Sequence, residues 1–459
     1  MTLRRTPWLV VVAAMLVALF GALALRGTAV AQGDVPTAAI PCENGMAGPY
    51  LCEGVDFLSF LSTAEVGGVE AGEKAANLWG WTDPDTDKKY VALGTTHRTA
   101  FIDVTDPVNP VYLGNLPTPT TPSLKYRDMK SYGNYLYIVS DENSQAGLQV
   151  FDMTRLRDVT SPPVTFTQDA FWDGLGNGHN LFINEESGFA YIARMTSPTL
   201  CNGAMLMVSL ANPLAPEYSG CYEDGGFASD MYCVNYTGPD PDHQGQEICI
   251  LASDNDILVA NVSNKNNPQT LATLTYPDIM RAHLLWLTED QRYGVSSDMN
   301  DEMMMGLNTR LFTWDFTDLD DPQLTGIYEG PSTASDHNVW IKGDRAYVGN
   351  FRAGLRIFDL AELPSGTLTE AAYFDMIPED DNTGHMGGAW AAYVFFDDGL
   401  LAVSDKEAGL YLLEEQPSSP TAVTLDALAL QQGGPNVAWL ALVGMGTLLA
   451  VAAVRRLRD

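Results

Sequence analysis

Seven copies of one short β-rich motif recur along the chain, about 50 residues apart, and this repeat constrains the fold more than any other feature. In most copies an apolar stretch ends at an Asp, an Asn or a small polar residue. The copies occupy residues 99–107, 147–153, 204–213, 256–264, 310–318, 354–360 and 409–413. A period of this length, with several strands per copy, is typical of a β-propeller in which each copy forms one blade.

The pattern of apolar runs and turns divides each copy into four strands. In the first copy we predict strands at residues 77–81, 90–93, 99–104 and 111–116. The last copy stops near residue 414 with only three strands, whereas a spare β-rich segment, residues 55–62, precedes the first copy. Pairing the spare strand into the last blade would close the ring and remove an exposed edge. The sequence therefore predicts an all-β domain, a seven-bladed β-propeller over residues 55–414.

The N-terminus is typical of a secretory signal peptide. Arg4 and Arg5 precede an apolar run from Trp8 to Leu25, and the segment 29–31 has the small residues of a cleavage site. An uncleaved membrane anchor is the alternative, because the apolar run is long. We predict a signal peptide at residues 1–31 and an N-terminal disulfide segment at residues 32–54.

The C-terminus favours a single transmembrane helix at residues 437–454. This run has no charge and is just long enough to cross the hydrocarbon core of a membrane. Arg455, Arg456 and Arg458 follow it in a basic tail, residues 455–459, that would stay in the cytoplasm. Residues 415–436 have the composition of a linker. With the signal peptide, this pattern predicts an exported protein, anchored in the cell membrane with the propeller outside.

The formal net charge of −33 bears on the choice of partners. A surface this acidic repels nucleic acid, so we expect no nucleic-acid partner. The acidity either favours the binding of cations or serves only solubility. The membrane is an expected partner through the C-terminal helix alone.

All six cysteines lie in the segment predicted to be exported, where disulfides form. Six cysteines allow 15 connectivities, so their spacing can suggest only one of them. The local pairs are Cys42–Cys52, Cys201–Cys221 and Cys233–Cys249. No C-x-x-C motif is present, which argues against a structural zinc site.

The repeat, with its G-L-x-I-F-D and D-P-x-x-P pieces, resembles the LVIVD-repeat propellers. Longer motifs resemble the choice-of-anchor B family over about residues 40–414. These motifs include Trp79-Gly-Trp-Thr-Asp-Pro84, Gly178-His-Asn-Leu-Phe-Ile-Asn-Glu185, Trp286-Leu-Thr-Glu-Asp290, Asp336-His-Asn338 and Phe351-Arg-Ala-Gly-Leu-Arg-Ile-Phe-Asp359. The resemblance implies an extracellular domain carried on varied C-terminal anchors, and it implies no established activity. The chain departs from the pattern at Ser229-Asp230, where His-Asp is expected, and in the looser acidic stretch 298–302.

Alignment of the copies places a set of His and Asp residues at the starts of the first strands, near the central channel. The set consists of Asp128, His179, Asp230, His283 and His337. Converging imidazoles and carboxylates could bind a divalent metal ion as cofactor. The alternative is structural, because polar groups near the axis can bond to neighbouring blades instead. His97 and His385 are expected in loops on the same rim, and His243 on the opposite rim.

Two classes of function follow from these features. The first is a binding or scaffolding module that uses the rim and the channel mouth, with an extracellular protein, glycan or small molecule as its ligand. The second is a metal-dependent extracellular enzyme, a hydrolase or an oxidoreductase, with a His/Asp site at the channel mouth. The sequence contains no G-x-S-x-G elbow, P-loop or H-E-x-x-H motif, so no catalytic residue can be named.

Two further segments allow alternatives. Residues 83–87 superficially resemble a calcium loop but lack its Gly and distal Glu, so a hairpin turn is favoured. Residues 303–305 are three consecutive methionines, which we expect to pack or to lie in a loop.

Overall fold

The computed structural model describes residues 36–68, 72–119, 126–141, 145–196, 199–380 and 386–417. The predicted signal peptide, transmembrane helix and basic tail lie outside these ranges, as do His385 and most of the predicted linker. Within the described ranges, no helix is long and apolar enough to cross a membrane. The chain divides into two units, Met1–Gln416 and Pro417–Asp459, and the fold described below belongs to the first.

Seven antiparallel sheets form the seven blades, numbered here in chain order. Blade 1 consists of Ala75–Thr82, Lys89–Thr95, Arg98–Asp103 and Val111–Pro117. Blade 2 consists of Arg127–Tyr132, Tyr135–Ser140, Leu148–Asp152 and Ala170–Trp172. Blade 3 consists of Asn180–Asn184, Phe189–Ala193, Met205–Ser209 and Glu217–Tyr222. Blade 4 consists of Ala228–Asn235, Glu247–Ser253, Ile257–Asn261 and Gln269–Leu274.

The remaining blades follow the same order from the channel outwards. Blade 5 consists of Ala282–Leu287, Tyr293–Asp298, Arg310–Asp315 and Gln323–Glu329. Blade 6 consists of Val339–Lys342, Arg345–Gly349, Leu355–Asp359 and Thr369–Asp375. Blade 7 consists of Ala389–Tyr393, Leu400–Asp405, Gly409–Glu415 and Val55–Ser62. The first strands are innermost, and those of successive blades contact one another around the channel from blade 7 through blade 1 to blade 6. Blades 6 and 7 meet through the second strand of blade 6 and the first strand of blade 7.

The ring closes as the sequence predicts. Val55–Ser62 pairs antiparallel with Gly409–Glu415, so the start of the domain supplies the outermost strand of the last blade. The predicted strands of the first blade also match the structure to within two residues at either end. The fold is therefore an all-β propeller with seven blades.

Three short strands and four short helices add to this frame in the described residues. Met46–Ala47 and Tyr50–Glu53 form a hairpin whose second strand pairs with the outermost strand of blade 6, and Val164–Thr165 pairs with that of blade 1. The helices are Met153–Asp158, Cys201–Gly203, Asp301–Met305 and Leu363–Ser365. The hairpin of Met46–Ala47 and Tyr50–Glu53 covers an edge of blade 6 that would otherwise be open, and the sequence did not predict this role.

Burial on both faces explains why the strands are rich in apolar residues. Each blade is packed between two neighbours, so a middle strand such as Glu247–Ser253 is buried along its entire length. The glycine before the third strand is required by backbone geometry rather than by burial. At Gly354 φ is +81°, and a Cβ would lie 2.1 Å from the backbone oxygen of Phe374. Only glycine fits where the third strand begins this close to the fourth.

Three disulfides are formed, and they are the predicted local pairs. Cys42–Cys52 closes the N-terminal segment, with its Cα atoms 6.0 Å apart. Cys201–Cys221 lies in blade 3, and Cys233–Cys249 joins directly paired residues of neighbouring strands in blade 4. The described residues contain no free cysteine.

The segment 83–87 forms a hairpin turn between the first two strands of blade 1, as favoured above. The buried Asp83 carboxylate accepts hydrogen bonds from the backbone of Asp85 at 3.0 Å and from the hydroxyl of Thr86 at 2.6 Å. Arg157, in the helix after the third strand of blade 2, donates to it through Nε at 2.6 Å. Burial alone would raise the pKa of Asp83, but these hydrogen bonds lower it to about 2. The carboxylate therefore joins blade 1 to blade 2.

We expect Asp83→Asn to lower the free energy of unfolding by about 2 kcal/mol at pH 7, because Arg157 loses its charged partner. The contribution of Asp83 should be full above pH about 4 and should disappear as the pH falls through about 2, since its pKa is depressed in the folded state. Urea unfolding measures both effects. Arg157→Ala should cost much less in the Asp83→Asn background than alone, and equal costs would contradict the coupling.

Candidate functional site

Contacting rings from five blades form a ring stack at the channel mouth. The ring of Tyr126 stacks on Trp390 with centroids 5.1 Å apart, and Trp390 contacts His337 at 4.4 Å. His337 in turn contacts His283 at 4.1 Å, while His179 meets the other side of Tyr126 at 5.4 Å. All three predicted histidines therefore lie at the mouth, within one aromatic assembly.

The hydrogen bonds of these histidines connect neighbouring blades. His337 Nδ1 donates to the backbone oxygen of Trp390 at 2.8 Å, and His179 Nδ1 bonds the carboxylate of Asp141 at 2.9 Å. His283 Nδ1 is buried and has no hydrogen-bond partner in the described residues. Burial lowers the pKa of His337 to about 3 and that of His283 well below its ordinary value, so both rings are neutral at pH 7.

The two predicted aspartates lie deeper in the channel. Asp128 accepts hydrogen bonds from Lys130 Nζ at 2.8 Å and from the backbone N–H of Leu181, in the next blade, at 2.7 Å. Asp230 accepts from the backbone of Met231 at 2.8 Å. Burial, with the charge of Asp128 nearby, raises the pKa of Asp230 to about 7. Several of these contacts are of the kind expected under the structural alternative, and a metal held by the five residues together stays a prediction.

Below the ring stack, the channel has little free space. A cavity of about 20 Å³ is lined by residues that include Trp79, Lys130, Phe182, Asp230, Trp286 and Trp340. A cavity of this size has room for about one water molecule. It is too small to hold a drug-sized ligand in this conformation.

A cluster of three carboxylates lies beside the mouth, between blades 5 and 6. Asp301 and Glu302 begin the helix Asp301–Met305, which follows the second strand of blade 5, and Asp336 precedes the first strand of blade 6. Each offers an oxygen within 4.8 Å of the others, and all three side chains are buried. We call these three residues the acidic cluster.

Arg310 is the basic partner of the acidic cluster. Its guanidinium donates to Asp301 Oδ2 from Nε at 2.7 Å, and its backbone N–H donates to Asp336 Oδ2 at 3.2 Å. The backbone N–H of Asp336 donates to Glu302 Oε1 at 3.2 Å. Burial and the neighbouring carboxylates raise the pKa of Glu302 to about 8 and that of Asp336 well above its ordinary value. The pKa of Asp301 is raised as well, chiefly by burial.

Comparison with known proteins supports the repeat. Residues 335–370, which run from the acidic cluster through most of blade 6, match the family model of the LVIVD repeat. Blade 6 of the propeller therefore contains an LVIVD repeat. A search of curated proteins found no match.

The solved structures that are similar to this propeller include those of the two following proteins. The computationally designed Ika8 protein is 11% identical, with a TM-score of 0.46 over 74% of this chain and 83% of that one. The Kuenenia stuttgartiensis hydrazine synthase is 13% identical, with a TM-score of 0.48 over 70% of this chain and 91% of that one. A likeness at this level says nothing about activity.

A second group of possible metal ligands lies on the opposite rim of the propeller. His243 Nε2 is 3.1 Å from Asp320 Oδ2 and 4.0 Å from Asp240 Oδ2. His243 Nδ1 bonds Gln246 at 2.9 Å, and Asp320 is largely exposed. His97 lies in the turn between the second and third strands of blade 1, as expected.

The sequence located the mouth but did not predict the acidic cluster. Both of its segments had been noticed, residues 298–302 as an acidic stretch and Asp336-His-Asn338 as a motif. The available signal was that both segments lie on the same rim. Residues 298–302 follow the second strand of blade 5, and Asp336-His-Asn338 precedes the first strand of blade 6. Because those strand ends meet on one rim, the carboxylates could have been expected to converge.

Proposed function

We propose that this LVIVD propeller is a cell-surface binding or scaffolding module of the choice-of-anchor B family, and that its partner docks on the rim around the channel mouth. One observation carries the proposal. The helix Asp301–Met305 lies on this rim and leaves Met303, Met304 and Met305 exposed by 40%, 59% and 51%. We call these residues the methionine patch.

The methionine patch suits a protein partner better than a glycan. Three adjacent exposed apolar side chains on a soluble surface mark an interaction site. Methionine is flexible and polarisable, so it adapts to the apolar side chains of a partner. The strongly acidic surface around it would disfavour an acidic partner. An extracellular protein with an apolar, neutral or basic surface therefore fits.

The alternative of a metal-dependent enzyme has less support from this rim. A catalytic metal needs an open position for water or substrate. The acidic cluster is buried, so an ion there would have no open side in this conformation. A bound ion in this cluster would instead hold two blades together.

The location rests on three features. The predicted signal peptide exports the chain, and the predicted helix at residues 437–454 holds it in the membrane. The three disulfides suit an oxidising compartment outside the cytoplasm. The propeller would then stand outside the cell on the linker 415–436.

Site-specific photo-crosslinking on intact cells tests the proposal. We expect a photoreactive residue at position 304 of the full chain to give a discrete protein adduct. At position 218, where Tyr218 is 61% exposed on the outermost strand of blade 3, we expect none. Replacing the three methionines with serine should reduce affinity for the captured partner at least about tenfold, the equivalent of 1.4 kcal/mol, and leave the melting temperature unchanged.

Two results would contradict it. Equal adducts at positions 304 and 218 would mean that the methionine patch has no special role. External protease should also remove the propeller from intact cells. A chain that stays protected from protease until the cells are broken would refute the surface location.

A further inference from the structure

The acidic cluster contains three oxygens that the protein leaves without partners. Asp301 Oδ1, Glu302 Oε2 and Asp336 Oδ1 are buried, and none has a hydrogen-bond partner in the described residues. The three side chains are 0%, 1% and 0% exposed, respectively. Buried polar atoms are almost always paired, because leaving one unpaired costs free energy. Three such atoms in one cluster point to a ligand.

Protons are the alternative to a cation in this cluster. One proton shared between two carboxylates links only two of the three groups. Two protons can link all three, with Asp336 donating to Glu302 and Glu302 donating to Asp301, and this arrangement describes the metal-free state. A cation, by contrast, can contact all three carboxylates at once, since each offers one oxygen within 4.8 Å of the others.

We propose that Asp301, Glu302 and Asp336 bind one hard divalent cation, and that calcium is the ion that suits them. The cluster offers only oxygen, which calcium prefers and which is a poor choice for soft metals. With all three carboxylates ionised, the single guanidinium of Arg310 leaves two negative charges, which a divalent cation would cancel as it displaces the protons. The site differs from the predicted ring of histidines, whose imidazoles would favour a transition metal.

Neutral oxygens next to the acidic cluster could complete the coordination. Ser335 and Asn300 immediately precede Asp336 and Asp301 in the sequence. Ser335 Oγ and Asn300 Oδ1 are buried atoms without a hydrogen-bond partner in the described residues. Calcium takes six to eight oxygens, more than three carboxylates supply in single contacts. Asp298 is excluded as a ligand by its own bonds, because it accepts from three backbone N–H groups and from Tyr276.

The cation would fix the position of the helix that carries the methionine patch. Asp301 and Glu302 belong to the same short helix as the methionine patch, whereas Asp336 belongs to blade 6. An ion bound to all three therefore fixes the helix of blade 5 against the next blade. This consequence rests on the proposed function, since it matters for binding only if the methionine patch is the docking surface.

Calorimetry and thermal unfolding of the full chain, purified in a mild detergent, test the cation site. After treatment with a chelator, we expect one Ca²⁺ to bind per chain. At a hundredfold excess over the dissociation constant, the melting temperature should rise by roughly 5 °C. Mg²⁺, Mn²⁺ and Zn²⁺ are titrated in parallel. If none of the four ions binds or shifts the wild-type melting temperature, the proposal is overturned.

Matched variants locate the ion. Asp336→Asn keeps the shape of the side chain and should abolish the calcium shift, whereas Asp320→Asn, in the second group, should keep it. If Asp320→Asn abolished the calcium shift and Asp336→Asn kept it, the ion would lie on the opposite rim and the proposal would be overturned. If Asp336→Asn does not fold, Glu302→Gln replaces it with the same expectation. Photo-crosslinking at position 304 separates the two proposals, because a calcium shift without an adduct would refute only the methionine patch.

Discussion

Replacing Phe57 with alanine is expected to lower the free energy of unfolding by about 3–5 kcal/mol. The side chain is fully buried in the strand that closes the ring. Its ring lies 5.6 Å from that of Tyr50 and 6.4 Å from that of Phe374, so it joins blade 7, the N-terminal hairpin and blade 6. The cavity left by alanine would loosen all three elements at the closure of the ring.

Urea unfolding of the full chain measures this loss. Phe171→Ala is the matched control, because Phe171 lies on the outermost strand of blade 2 and is 39% exposed. The control should change stability by no more than about 0.5 kcal/mol. A loss below about 1 kcal/mol for Phe57→Ala would show that the closing strand contributes little.

Replacing Arg310 with methionine should cost about 3–5 kcal/mol in the chelator-treated protein, because Asp301 would keep a buried charge without its partner. Arg310 is buried, and its guanidinium also donates to the backbone oxygens of Pro277 and Asp278 at 3.3 and 3.4 Å. Arg292→Met is the control, since its ion pair with Asp315 is exposed and should contribute little. Equal losses in the two variants would contradict this role for Arg310.

The same cluster sets the direction of a pH dependence. Glu302 has a pKa of about 8 in the folded chain, well above the ordinary value of a glutamate, so the folded state holds this proton more tightly than the unfolded state. Its stabilising effect is therefore full at low pH and is lost as the pH rises through 8. Between pH 7 and 9 the metal-free protein should lose about 1–2 kcal/mol, and Glu302→Gln should flatten the slope. Stability that rises over this interval would contradict the assignment.

The sequence predicted those parts of the fold that are local or repeated. Strands such as Ala75–Thr82 were found because apolar runs and turns mark them directly. The pairing of Val55–Ser62 with the last blade was predicted by counting strands, because the last copy has only three and this segment belongs to no copy. The hairpin on blade 6 was missed, because its pairing with Thr369–Asp375 joins residues more than 300 positions apart and has no local pattern.

The candidate site was harder to predict, for a physical reason. Repeat alignment put His283 and His337 at equivalent positions of successive blades, and the structure brings their rings into contact. The alignment could not show that the His337 ring contacts Trp390, because that contact depends on side-chain direction rather than on repeat position. The acidic cluster requires the relative placement of two neighbouring blades and a short helix outside the repeat, and neither can be read from periodicity.

The closure of the ring also means that the first strand is synthesised long before the strand with which it pairs. Gln416 Nε2 reaches back to Asp56 Oδ1 at 2.6 Å across a separation of 360 residues. At 5–20 residues per second, a ribosome needs roughly 20 to 70 s to make the intervening chain. Throughout that interval the segment 55–62 lacks its strand partner Gly409–Glu415, so its free edge is open to a second nascent copy. Crowded expression should therefore favour exchange of this strand between molecules, and slower initiation should favour monomers.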